Sequence, residues 1–297
     1  MSRSDVSPFR GGGGGGLAWS WLAAFALIFQ IPVGTANATP IYTLSSGNSS
    51  VSIDLGSQTG MYNWSVDGQN QLNQQWFWYR VGSSGPQASI DTIGTPAAVE
   101  YGTSILDTTY TAAKFSLSVD YSLTGGSPTS GASDLAETIS IQNLTGSTLP
   151  FYFYQYADFN LGGTPSNESG QLNKTSKGFN QVDQTDGFCH LGENVDTVVS
   201  HPATYGEVAN NNSILSLLNG VTPATLNDNM STVGNVRWGL EWVANIAPGG
   251  TYIISKDLNM SGVVPVVPVP EPSAWSLILL GLLAGGMWKF RSASRAG

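Results

Sequence analysis

The residues that could do chemistry are sparse and of three kinds. Asp158, Glu168, Asp183, Asp186, Glu193, Asp196 and Glu241 are candidates for the paired carboxylates of glycoside hydrolysis, which needs two acids about 5 to 9 Å apart. Their spacing singles out no pair. Cys189 precedes His190, but neighbours on an extended strand point to opposite faces, so a Cys-His catalytic pair is not expected. His201 stands without the ligand spacing of a zinc site, and Asp183-Gln-Thr-Asp186-Gly187 lacks the repeated ligands and closing glutamate of a calcium loop. Neither a metal nor a cofactor is expected. No Gly-x-Ser-x-Gly elbow, phosphate loop or dinucleotide fingerprint occurs between residues 39 and 262.

Two aromatic blocks form the third kind. In Gln75-Trp-Phe-Trp-Tyr-Arg80, alternation sets Trp76 and Trp78 against Phe77 and Tyr79; in Phe151-Tyr-Phe-Tyr-Gln-Tyr156 it sets Tyr152, Tyr154 and Tyr156 against Phe151, Phe153 and Gln155. Rings such as Trp76, Trp78, Tyr152 and Tyr154 are flat enough to stack on sugars if one face is open. The preferred reading is a central strand whose outer face lies under a long loop, because large aromatics contribute most when buried. The amide run Asn70 to Gln75 could meet sugar hydroxyls but reads first as solvated loop or edge.

The elements that must position these residues are strands. Phe115, Leu117, Val119, Tyr121 and Leu123 alternate with polar residues, the pattern of a half-buried strand. Val51 with Ile53 and Leu55, Ile139 with Ile141, and Tyr252 to Ser255 repeat it. So do Trp238, Leu240 and Trp242, set against Arg237, Gly239 and Glu241 as the wet face. Turn clusters at 82–86, 125–128 and 248–250 separate the runs, and Asp67-Gly68 marks a turn before the first aromatic strand. One short helix is predicted at Ser213 to Leu218. Alternation with one polar face argues for an all-β, antiparallel β-sandwich, jelly-roll-like, with a closed barrel as the alternative.

Charge narrows the partners. Residues 39–262 carry six Lys and Arg against eighteen Asp and Glu, a net of −12. Nucleic-acid binding rests on clustered cations and is excluded. With a single cysteine no internal disulfide can form, so packing must hold the domain.

The two ends read as targeting. Arg3 and Arg10, an apolar stretch from Leu17 to Val33 and Ala36-Asn37-Ala38 make a secretory signal peptide, with cleavage by signal peptidase expected after Ala38. At the other end, Val263 to Pro272 is proline-rich, Ala274 to Trp288 is apolar, and Lys289, Arg291 and Arg295 follow. At about 1.5 Å per residue the apolar segment reaches about 22 to 26 Å, a minimal membrane span. Its flanking cations place the C-terminus in the cytoplasm and the domain outside.

The order Val269-Pro270-Glu271-Pro272, apolar span and basic cluster resembles the PEP-CTERM sorting tail of exported proteins in Gram-negative bacteria that make exopolysaccharide. Met61 to Gly68, followed by Asn70 to Trp76, is similar to uncharacterised members of that family. The resemblance implies recognition and cleavage at Val269–Pro272 by an exosortase. The expected organisation is a signal peptide (1–38), a β-sandwich (39–262), a Pro-rich linker with the signal (263–272) and a transmembrane helix with a basic tail (273–297). It implies a chain anchored in the inner membrane with its domain in the periplasm, then delivered to the cell surface or outside. The functional expectation is a non-enzymatic surface or matrix protein associated with exopolysaccharide; the alternatives are a carbohydrate-binding module or an envelope glycoside hydrolase.

Overall fold

The computed structural model describes residues 41–195 and 200–264. The cleavage site at Ala36 and Ala38, the motif Val269–Pro272, the apolar span with its basic tail, and Asp196 lie outside the described residues. Among the described residues no helix is long and apolar enough to cross a membrane.

The described residues form two sheets, each with nine strands. The first runs Ile41–Ser46, Ser49–Asp54, Gly60–Val66, Leu72–Val81, Leu149–Phe159, Arg237–Ile246 and Tyr205–Ala209, with the short strands Gln69–Asn70 and Ala88–Ser89 attached to its path. The second runs Ser231–Gly234, Glu168–Thr175, Gly178–Asp186, Cys189–Val195, Thr251–Ser261, Ser133–Asn143, Phe115–Gly125, Ile105–Thr111 and Ala97–Tyr101. Pairing is antiparallel except where Gly60–Val66 meets Leu72–Val81 in a brief parallel contact. This is a sandwich, larger than the eight strands of a jelly roll.

Alternation builds the strands as expected. Phe115, Leu117, Val119, Tyr121 and Leu123 are buried along Phe115–Gly125, and the register sets Val119 opposite Ile139 and Leu117 opposite Ile141. Such cross-strand apolar pairs are the unit of sheet stabilisation. On the inner face of the first sheet, Phe77 stacks on Phe153 at 5.4 Å and Phe159 on Trp238 at 6.2 Å. Asp67 (φ 50°) and Gly68 (φ 83°) both take the left-handed conformation that a tight hairpin turn demands, and the Asp67 carboxylate accepts the amides of Thr129 and Gly131.

One strand departs from its pattern. Arg237–Ile246 was expected to wet the face carrying Gly239 and Glu241, yet both are buried. The strand is interior to its sheet, flanked by Leu149–Phe159 and Tyr205–Ala209, and the helix Ser213–Leu218 lies over its outer face. That helix falls where the sequence predicts it, with Ile214 and Leu218 buried. Gly239 is what lets it approach: a Cβ there would stand 3.0 Å from the Ile214 side chain.

Candidate functional site

The outer face of the first sheet gathers most of the chemistry. Register places Trp76, Trp78 and Arg80 beside Tyr156, Tyr154 and Tyr152, and Tyr154 beside Glu241. Glu207 sits opposite Gly239 while Glu241 sits opposite Tyr205, so the two glutamates are diagonal neighbours on one face. Such positions lie about 7 to 8 Å apart. The chain from Ser213 to Asn229 covers them. The amide of Leu226 donates to Glu241 Oε2 at 2.9 Å and that of Asn227 to Glu207 Oε2 at 3.3 Å. Burial pushes the Glu241 carboxyl up to about 7 and raises that of Glu207.

The Trp78 and Tyr154 rings serve the same cover, while Trp76 holds Ser89 and Asp91. Trp78 Nε1 donates to Asn219 Oδ1 at 3.1 Å, and Tyr154 Oη donates to the Ala224 carbonyl at 3.0 Å. Trp76 Nε1 donates to Ser89 Oγ at 2.9 Å and Asp91 Oδ1 at 3.0 Å. Gln87 clamps the segment, donating to the carbonyls of Leu217 and Leu218 and accepting the Ala224 amide. Trp76, Trp78 and Tyr154 are therefore fully buried. This corrects their candidacy as a sugar-stacking platform: their strands are interior, and their polar edges are occupied holding a loop. Tyr152 is half-buried, and Arg80 lies 3.9 Å above its ring.

At one end of this face Asp158 pairs with Arg237 at 3.1 Å and accepts from Asn73 Nδ2 at 3.0 Å. Asp158 Oδ1, Glu241 Oε1 and Arg80 Nε are buried without a hydrogen-bond partner among the described residues. Native interiors seldom leave such atoms unpaired.

A cleft of about 400 Å³ opens at the end of the sandwich, lined by Tyr79, Pro86, Ala113, Lys114 and Phe115, with Arg80 at its edge. Its lining is mostly apolar, and Tyr79 is half-buried there, stacked at 6.1 Å on Phe151. The guanidinium of Arg80 is engaged with Tyr154 Oη and the Ser83 carbonyl, while Lys114 is exposed at the rim.

A third cluster lies inside the sandwich. Gln75 and Gln155 from the first sheet meet Glu137, Glu193 and Lys256 from the second, and all five are buried. Lys256 Nζ ion-pairs with Glu137 and lies 3.6 Å from Glu193 Oε2. Gln75 Nε2 donates to both Glu137 oxygens, at 2.7 and 2.9 Å, and Gln155 Nε2 to Glu193 Oε2 at 2.7 Å. Of these, sequence reasoning singled out Glu193 alone and took the amide run for solvated loop; Gln71 and Gln75 are instead fully buried. The signal was present: Glu137 shares a face with Leu135 and Ile139, and Lys256 with Ile254 and Leu258, so charges stand at core positions of alternating strands.

The remaining candidates are scattered. Cys189 is buried with its thiol 3.6 Å from Gln71 Oε1, while His190 reaches the other way to Asp183 at 3.3 Å. Asp186 and Gly187 begin the hairpin turn between Gly178–Asp186 and Cys189–Val195. Glu168 accepts the amides of Leu161 and Val236, and its burial pushes it up to about 7. His201 stacks on Tyr252 at 4.1 Å.

No protein-family model matches the chain, and comparison with curated proteins finds no match. Solved structures do share the fold. A bacterial glucoamylase complexed with acarbose superposes with a TM-score of 0.53 at 11% identity over 76% of this chain and 32% of its own. A putative aldose 1-epimerase from Escherichia coli K12 reaches 0.49 at 12% identity, over 75% of this chain and 99% of its own. A galactose mutarotase related enzyme from Lactobacillus acidophilus reaches 0.49 at 8%, over 77% and 100%. This chain spans about a third of the glucoamylase, and at these identities the likeness is one of fold. The expectation of a non-enzymatic domain is corrected: the glucoamylase that shares this fold is by name an enzyme.

Proposed function

We propose that this is an exported protein whose sandwich recognises neutral sugar units of a polysaccharide in the cleft beside Tyr79 and Phe115. The cleft carries the proposal. Its volume of about 400 Å³ falls within the ~300 to 1,000 Å³ of small-molecule sites, and an apolar floor with a polar rim suits the C–H face and hydroxyls of a pyranose. The charge balance of −12 over residues 39–262 disfavours a polyanionic glycan at a distance, which points to neutral sugars. A glucoamylase solved with acarbose bound shares the fold, and the reading brings ligands of that class to this chain. Native gels cast with neutral glucans and galactans or with uronate-rich polymers test it. Retardation by a neutral polymer is expected; free migration in all of them would overturn the reading.

Delivery follows from the ends. Signal peptidase removes residues through Ala38, and an exosortase of the PEP-CTERM type cuts at Val269–Pro272, releasing the domain to the surface or the exopolysaccharide matrix. The motif, the apolar span and the basic cluster support this.

A second reading rests on Glu207 and Glu241. Two buried acids on adjacent strands, one pushed up to about 7, are suited to acid-base work on a sugar if the segment above them lifts. Polarimetry of aldose anomers and reducing-end assays on oligosaccharides, with Glu207→Gln as control, would detect it. Rates equal to buffer would remove it.

A further inference from the structure

The buried cluster between the sheets holds an amine and a carboxyl in reacting position. Lys256 Nζ meets Glu137 in direct contact, their residues are register partners on adjacent strands, and Glu193 Oε2 lies 3.6 Å from the same nitrogen. Lys256, Glu137 and Glu193 are each buried to within 1% of full exclusion from solvent, and the Phe77 ring lies 5.5 Å from Nζ. Two carboxylates and one ammonium sealed in an apolar interior carry an unbalanced charge, an arrangement that is costly unless protons are rearranged. Gln75 aims its amide N–H groups at the Glu137 oxygens.

We propose that Lys256 and Glu137 condense to an intramolecular amide, with Glu193 as proton carrier. A proton first passes from the ammonium to the Glu137 carboxylate, giving the neutral amine and carboxylic acid that condensation requires. The Nζ lone pair then attacks Cδ of Glu137, and the developing oxyanion is held by the Gln75 amide. Glu193, whose carboxyl burial raises to about 7, exchanges a proton readily near neutrality: it gives one to the departing hydroxyl and takes one from Nζ. One C–N bond forms, one C–O bond breaks and one water leaves; nothing is oxidised or reduced. Proximity replaces an external activator, since fixed geometry is equivalent to effective concentrations of about 10⁵ to 10⁸ M. Expulsion of water from the core opposes the reverse step.

The position of the link has a use. It fastens Ser133–Asn143 to Thr251–Ser261, the last strand before the linker, in a chain whose single cysteine permits no disulfide. A pull on the C-terminal tail would be borne by a covalent bond.

Tryptic mapping of the full-length folded protein tests it. With the amide in place trypsin does not cut after Lys256, and the fragment 115–174 travels joined to the fragment that begins at Trp238, lighter by one water than the two together. Glu193→Gln and Lys256→Met should return both fragments separately at full mass. Recovery of wild-type fragment 115–174 unlinked, with normal cleavage after Lys256, would overturn the proposal. A linked product persisting in Glu193→Gln would overturn the role given to Glu193.

Discussion

Trp78 shows what the aromatic blocks do. Its ring is fully buried on the outer face of its sheet and its N–H holds Asn219. Replacing it by alanine removes the ring and leaves the amide oxygen unpaired, a loss of about 3 to 5 kcal/mol for a core aromatic. Chemical denaturation should register that loss; a change under about 1 kcal/mol would mean that the segment above it is not packed as described. Glu241 is the second residue with a measurable signature. Burial raises its carboxyl to about 7 from an ordinary value of 4.5. Between these limits the folded protein holds a proton that the unfolded chain has released. The resulting stability is full below pH 4.5 and fades as pH rises through about 7. In Glu241→Gln the amide oxygen can still accept the Leu226 N–H, so the fall in denaturation midpoint from pH 5 to pH 8 should be shallower than in the wild type. An unchanged slope would contradict the assignment.

Among the elements, the segment from Ser213 to Asn229 decides whether the outer face is core or site. It rests on a few polar ties: Gln87 to Leu217, Leu218 and Ala224, Tyr154 to Ala224, and the two glutamates to Leu226 and Asn227. Gln87→Ala cuts three of them at once. Amide exchange across 213–226 should quicken and the tryptophan emission shift to the red, while Phe115–Gly125 and Ser133–Asn143 exchange as before. Uniform acceleration over both sheets would mean that cover and sandwich open together. The helix in this segment, like the strand 115–125, was legible because local periodicity and flanking breakers suffice to mark an element. The burial of Glu241 was not. A strand's alternation reports one apolar face, and only the sheet order reveals that a distant segment covers the other. The cleft was illegible for a related reason, since Tyr79, Pro86 and Ala113 come together through tertiary packing that no spacing encodes. Glu137 and Lys256 could have been read, because each breaks an apolar face at a core position.

Across the whole molecule, two packed sheets with a buried interior carry the stability, and in the proposed function the net charge selects the partner. The last strand ends at Ser261, just before the proline-rich stretch that carries the proposed sorting signal. If export and sorting run as proposed, mass spectrometry of the protein from its native host should find Thr39 at the N-terminus and no peptide from 273–297. Detection of intact 273–297 in the surface fraction would contradict the sorting proposal and leave the sugar cleft unaffected. The cleft itself is tested most directly by titrating the full-length protein with an oligosaccharide cut from a neutral polymer that retards it on gels, beside Ala113→Trp. Ala113 is exposed on the cleft wall, so the indole fills the cleft without entering the core. The account predicts saturable binding by the wild type and a loss of at least about tenfold, or about 1.4 kcal/mol, in Ala113→Trp. Equal affinity in the two proteins would contradict it.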